Sequence, residues 1–82
     1  MAKARKLRVY HDHDGTYREM VAAHNLKEAA HLLNTTVGSI RNYGGTFGPV
    51  SSPVEYELAT GKPGVVFRRD MRVLKGGEWE EV

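Results

Sequence analysis

The chain has 82 residues, of which 40% are hydrophobic, 27% are charged and none is cysteine. A single thin-cored domain fits that length, because a chain this short buries only about 60% of its unfolded surface; the composition excludes disulfides, thiolate metal cages and wholesale disorder. Net charge is +2, distributed as 7 Lys+Arg against 4 Asp+Glu in residues 1–50 and 5 against 6 in residues 51–82.

The first eight residues hold a basic arm, Lys3, Arg5, Lys6 and Arg8, of the kind that tracks phosphates or simply keeps a terminus solvated. No apolar stretch follows it, and none in the chain approaches the ~20 residues of a membrane span, so a cytoplasmic protein is expected. Leu7-Arg8-Val9-Tyr10 alternates apolar and basic, which suits a half-buried strand. His11-Asp12-His13-Asp14-Gly15 reads as a polar turn ending in Asp-Gly, and Tyr17 to Ala23 as the returning strand of a hairpin.

Asn25 has the character of an N-cap, with Glu28 in the capping-box position. Leu26, Ala29, Ala30, Leu32 and Leu33 then recur at helical spacing, and Asn34 suits a left-handed residue closing that helix. Thr35 or Thr36 caps a second short helix to Tyr43, with Val37, Ile40 and Tyr43 turned inward and Gly44-Gly45 as its stop. Residues 44–52 read as a glycine- and serine-rich loop. Ser52-Pro53-Val54-Glu55 then carries a cap, a first-turn proline and a capping-box glutamate. Gly61 ends this third helix, and Lys62-Pro63-Gly64 turns the chain. A strand from Val65 toward Lys75, a Gly76-Gly77 turn and a partner strand Glu78–Val82 make a second hairpin, with acidic side chains opposite Arg72 and Lys75. Tyr10, Val66 and Phe67 are candidate core residues. Strands, helices and strands in that order predict an α+β fold: a small antiparallel sheet, made of an N-terminal and a C-terminal hairpin, with two or three short helices.

Residues 26–43, Leu-Lys-Glu-Ala-Ala-His-Leu-Leu-Asn-Thr-Thr-Val-Gly-Ser-Ile-Arg-Asn-Tyr, carry the most specific pattern. This stretch resembles the helix-turn-helix of the MerR and excisionase-like regulators. In that resemblance Ala30 lets two helices approach, Asn34 stands at the turn, Thr36 caps the second helix, and Ser39-Ile40-Arg41 is similar to the Thr-Ile-Arg often found there. The resemblance implies duplex DNA as partner, with Arg41 and Asn42 reading base edges and Thr36 and Ser39 touching phosphate. The arginine- and tyrosine-rich wing of those regulators is absent; the hairpin at 65–82, with Arg68, Arg69 and Arg72, is a candidate wing along the backbone, and dimerisation is expected, since one such motif alone binds weakly.

Two other segments carry chemistry. His11 and His13 share a face if their segment is extended, a weak metal-ligand pattern that lacks third and fourth ligands unless His24 or His31 supplies them. The loop 44–52, with Gly45 and with a Phe47 that either stands exposed to stack on a ligand or tucks back to close the loop, leads into a helix start and suits a phosphorylated or nucleotide-like ligand, with charge from Arg41, Lys62 and Arg68. It lacks the Gly-Lys-Ser/Thr ending of a P-loop. With no thiol, no Gly-x-Ser-x-Gly and no His-Glu-x-x-His, an enzyme is not expected and no cofactor is implied. Two readings therefore stand. The first is a DNA-binding regulator of bacterial or bacteriophage type. The second is a small anti-defence inhibitor that occupies a host protein or sequesters a phosphorylated small molecule.

Overall fold

The computed structural model describes residues 7–13, 15–71 and 78–82. The expected N-terminal hairpin forms between β1 (Arg8–His13) and β2 (Tyr17–Ala23), paired antiparallel from Arg8↔Ala23 to His13↔Arg18. The polar turn placed at 11–15 is corrected: His11, Asp12 and His13 belong to the strand. The turn is confined to the residues after His13, where Gly15 takes a positive φ of 92°; Asp14 lies outside the described residues. Polar side chains continue the strand because each finds cover on a sheet that is packed on both sides.

The helix α1 (Leu26–Leu32) starts where the Asn25 side chain accepts the Glu28 amide at 2.7 Å. Glu28 reaches back, accepting the His24 amide at 3.4 Å and lying 3.3 Å from the His24 ring. Its far end is closed by two bonds, Thr35 N–H to the Ala30 carbonyl and Asn34 N–H to the His31 carbonyl, with Asn34 left-handed at φ 56°. This pair of bonds is the Schellman arrangement, and asparagine supplies the left-handed residue that glycine usually provides. Thr36, rather than Thr35, caps α2 (Val37–Tyr43), accepting the Ser39 amide at 3.1 Å.

The glycine-rich stretch is not all loop: β3 (Gly45–Phe47) pairs with β1 from Val9↔Phe47 to His11↔Gly45. The helix α3 (Pro53–Gly61) begins at Pro53 as expected, but the Ser52 side chain makes no capping bond. The chain then enters β4 (Phe67–Asp70), which pairs with β2, and β5 (Glu80–Glu81), which pairs with β4. Glu80 stands opposite Arg68; the expected partners Arg72 and Lys75, and the Gly76-Gly77 turn, lie outside the described residues.

The sheet order is β3-β1-β2-β4-β5, with every neighbour antiparallel. Helices cover both faces. On one side Tyr10, Val21 and Ala23 meet Ala29, Ala30 and Leu33 of the α1 region and Ile40 of α2. On the other, Val9, Met20, Ala22 and Phe67 meet Ala59 of α3, with Phe47, Tyr56, Val65 and Trp79 at the margin. The run Met20-Val21-Ala22-Ala23, buried throughout, belongs to a central strand apolar on both faces. Among the described residues, no helix is long and apolar enough to cross a membrane.

Candidate nucleic-acid interface

A buried carboxylate decides how α2 sits on the sheet. Alternation along β1 sends Asp12 toward α1 and α2, while His11 and His13 face α3. Asp12 is only 8% exposed. Its Oδ2 accepts the Thr35 hydroxyl at 2.9 Å and the Ser39 hydroxyl at 2.8 Å, and its Oδ1 accepts the His13 amide at 2.8 Å. One residue thereby ties β1 to the turn between the helices and to the first turn of α2. The C-terminal end of α2 is held by close approach. A Cβ on Gly44 would lie 1.9 Å from the His11 carbonyl oxygen, so only glycine lets the helix end against β1.

This anchoring sets the rotation of α2. Ile40 enters the core and Val37 packs against it. Ser39, expected to touch phosphate, donates its hydroxyl proton to Asp12. Tyr43 is corrected as well: it is 63% exposed, four residues beyond Ser39, and borders a cleft of about 340 Å³ with Asp12, Glu19, Asn34, Thr35 and Ser39. With Ser39 drawn down to Asp12, Tyr43 lies over the cleft instead of the core.

Arg41 and Asn42 fall on the outward face and are exposed, as is Gly38. Neither the Arg41 nor the Asn42 side chain has a hydrogen-bond or ion-pair partner among the described residues. No residue of α2 is acidic, and Lys27 and His31 are exposed on α1. Thr36 is exposed at the opposite, N-terminal end of α2, and its hydroxyl oxygen is already engaged as the helix cap.

The remaining candidates do not join this surface. Phe47 is not free. It stacks on His11 with ring centroids 4.2 Å apart and meets the edge of Trp79 at 6.1 Å. Gly45 is paired opposite His11 inside the sheet. The glycines of the loop therefore serve close packing first, while Gly48, Pro49, Phe47 and Tyr56 line a separate cleft of about 250 Å³ with Arg8 as its one charged wall. The proposed wing is divided by strand alternation. Arg68 is bound to Glu19 at 2.9 Å and lies over the Tyr17 ring, whereas Arg69 points to the opposite face, 5.8 Å from the Trp79 ring centroid. Lys62, which the sequence reading placed near the loop, pairs with Glu81. Lys3, Arg5, Lys6 and Arg72 lie outside the described residues.

His11 and His13 do share a face, but no group of three or more His, Cys, Asp or Glu side chains among the described residues is placed to hold a metal. His24 is engaged by Glu28, and His31 lies on the exposed side of α1, across the sheet. The sequence reading missed Asp12 as the latch and Arg18 as the neighbour of the two histidines. The signal was the even spacing of 9, 11 and 13 against 10 and 12, obscured by reading the segment as a turn. Compared with family models, with curated proteins and with solved structures, the chain matches none.

Proposed function

We propose that the protein binds duplex DNA through the outward face of α2, with Arg41 and Asn42 as the groups that reach base edges. The observation that carries this reading is the exposure of both side chains, without partners among the described residues, on an acid-free helix that a Schellman turn and a buried carboxylate hold in one orientation. Arginine suits guanine and asparagine suits adenine in the major groove. Exposed Lys27 on α1 is a further cation available to phosphate. A two-turn helix spans few base pairs, so the reading includes a homodimer on paired half-sites.

The test is a binding titration against duplex DNA at low salt, repeated as salt rises. Wild-type affinity should fall steeply with salt, since phosphate contacts release counterions. Arg41→Ala and Asn42→Ala should each weaken binding by about 1–3 kcal/mol without altering the melting temperature, because both side chains are exposed and unpaired. Wild-type protein without duplex affinity at low salt would end the proposal.

A further inference from the structure

The sheet face turned away from α1 and α2 presents a group of nitrogen atoms without hydrogen-bond partners among the described residues. His13 stands directly opposite Arg18 in the β1–β2 ladder, and His11 lies two residues along on the same face. His11 Nδ1, His13 Nδ1 and Arg18 Nε are each enclosed by protein, and none has a hydrogen-bond partner among the described residues. The three residues are partly exposed through their other atoms, so an anion approaches the cluster from that edge. Arg69 stands opposite Arg18 on β4, adding another cation to this end of the face.

We propose that His11, His13 and Arg18 form a binding site for a phosphate-type oxyanion between the far ends of β1 and β2. This goes beyond the DNA reading: the face is the opposite one and the ligand is a small anion. Three points select the ligand class. A guanidinium Nε–H only donates, so its missing partner must be an acceptor. An enclosed guanidinium N–H without a partner is costly, and an oxyanion answers it with a charge-assisted hydrogen bond. A metal would use the two imidazoles but would sit beside Arg18, whose positive charge opposes it. The field agrees, since His11 is lowered to about 4 by burial first, then by the nearby charges of Arg18 and His13, with Asp12 acting in the other direction. An anion seated among these groups reverses the electrostatic part of that effect. Phe47, stacked on His11, gives the site an aromatic wall.

The experiment follows the four histidine ring signals of the full chain by NMR during titration with inorganic phosphate, at ionic strength held constant with chloride. His24 and His31, both exposed, act as internal controls. The expected result is a saturable shift of His11 and His13 alone. Arg18→Gln should weaken it by roughly ten- to a hundredfold, the loss of one charge-assisted bond. If Arg18→Gln does not fold, the wild-type titration decides by itself. Adenosine monophosphate and adenosine separate the sources of the oxyanion. Saturation by phosphate alone supports free phosphate. Tighter binding of the monophosphate, with the Phe47 ring perturbed, supports a nucleotide. Four histidines moving together, no movement at millimolar phosphate, binding of adenosine as strong as that of its monophosphate, or a response to zinc alone would each overturn the proposal.

Discussion

Replacing Asp12 by alanine tests the central structural idea, that a carboxylate on β1 orients α2. The substitution removes three hydrogen bonds to a nearly buried carboxylate, from the Thr35 hydroxyl at 2.9 Å, the Ser39 hydroxyl at 2.8 Å and the His13 amide at 2.8 Å, of which the two hydroxyl bonds hold α2. Hydrogen bonds to charged groups are worth about 1.5–3 kcal/mol each in net terms, and stranding two hydroxyls adds a penalty, while relief of the carboxylate's own desolvation acts the other way. A net loss of about 2–4 kcal/mol follows. For a domain of this size, where 1 kcal/mol moves the midpoint by about 4–8 °C, the melting temperature should drop by roughly 10–25 °C. Asp12→Asn should cost less, since an amide oxygen still accepts one hydroxyl. Urea unfolding measures the loss, and a double-mutant cycle with Ser39→Ala assigns it. Amide exchange at Ser39 and Ile40 should accelerate in Asp12→Ala before exchange in β2 does, because the latch holds the helix and the ladder holds the strand. A loss under about 0.5 kcal/mol, or a strictly additive cycle, would refute the latch.

Other expectations come from the same contacts. Gly44→Ala should destabilise by about 1–3 kcal/mol or more, because its Cβ would fall 1.9 Å from the backbone oxygen of His11, whereas Gly38→Ala, with only Thr36 Oγ1 at 3.9 Å, should stabilise α2 by up to ~1 kcal/mol; thermal melts of the two variants should move in opposite directions. Asn25→Ala and Thr36→Ala should each cost about 1 kcal/mol, and Ser52→Ala much less, since only the first two side chains make capping bonds; equal losses at all three would contradict the geometry. His11 should make stability depend on pH. Its folded pKa of about 4 lies below the unfolded 6.5, so folding favours the neutral ring; this contribution is complete above pH 6.5 and is lost as pH falls from 6.5 toward 4. Urea midpoints across that range should fall less in His11→Phe than in the wild type, and parallel curves would dismiss the effect.

Much of this molecule was legible where local chemistry is self-sufficient. The boundaries of β2 and α1, the Asn25 cap, left-handed Asn34 and the proline start of α3 all follow from residues within a few positions of each other. The errors fall where a distant residue decides. His11–His13 reads as a turn until β2 and β3 pair with it. Gly45–Phe47 reads as a loop until β1 offers it an edge. Tyr43 reads as an anchor by spacing from Ile40, yet Asp12, 27 positions before Ser39, rotates the helix away from that arrangement. Of the candidate surface, Arg41 and Asn42 were identifiable from helix phase alone. The His11-His13-Arg18 cluster was not, because Arg18 reaches the histidines only through the register of the hairpin.

Periodicity, caps and turn residues, read without coordinates, thus established an antiparallel α+β arrangement and the two side chains exposed on α2, since such signals act through the backbone within one or two turns. Which face each polar residue of β1 occupies, and what meets it there, depended on the packed sheet. A strand offers two equivalent sides, and only partners brought from far along the chain distinguish them.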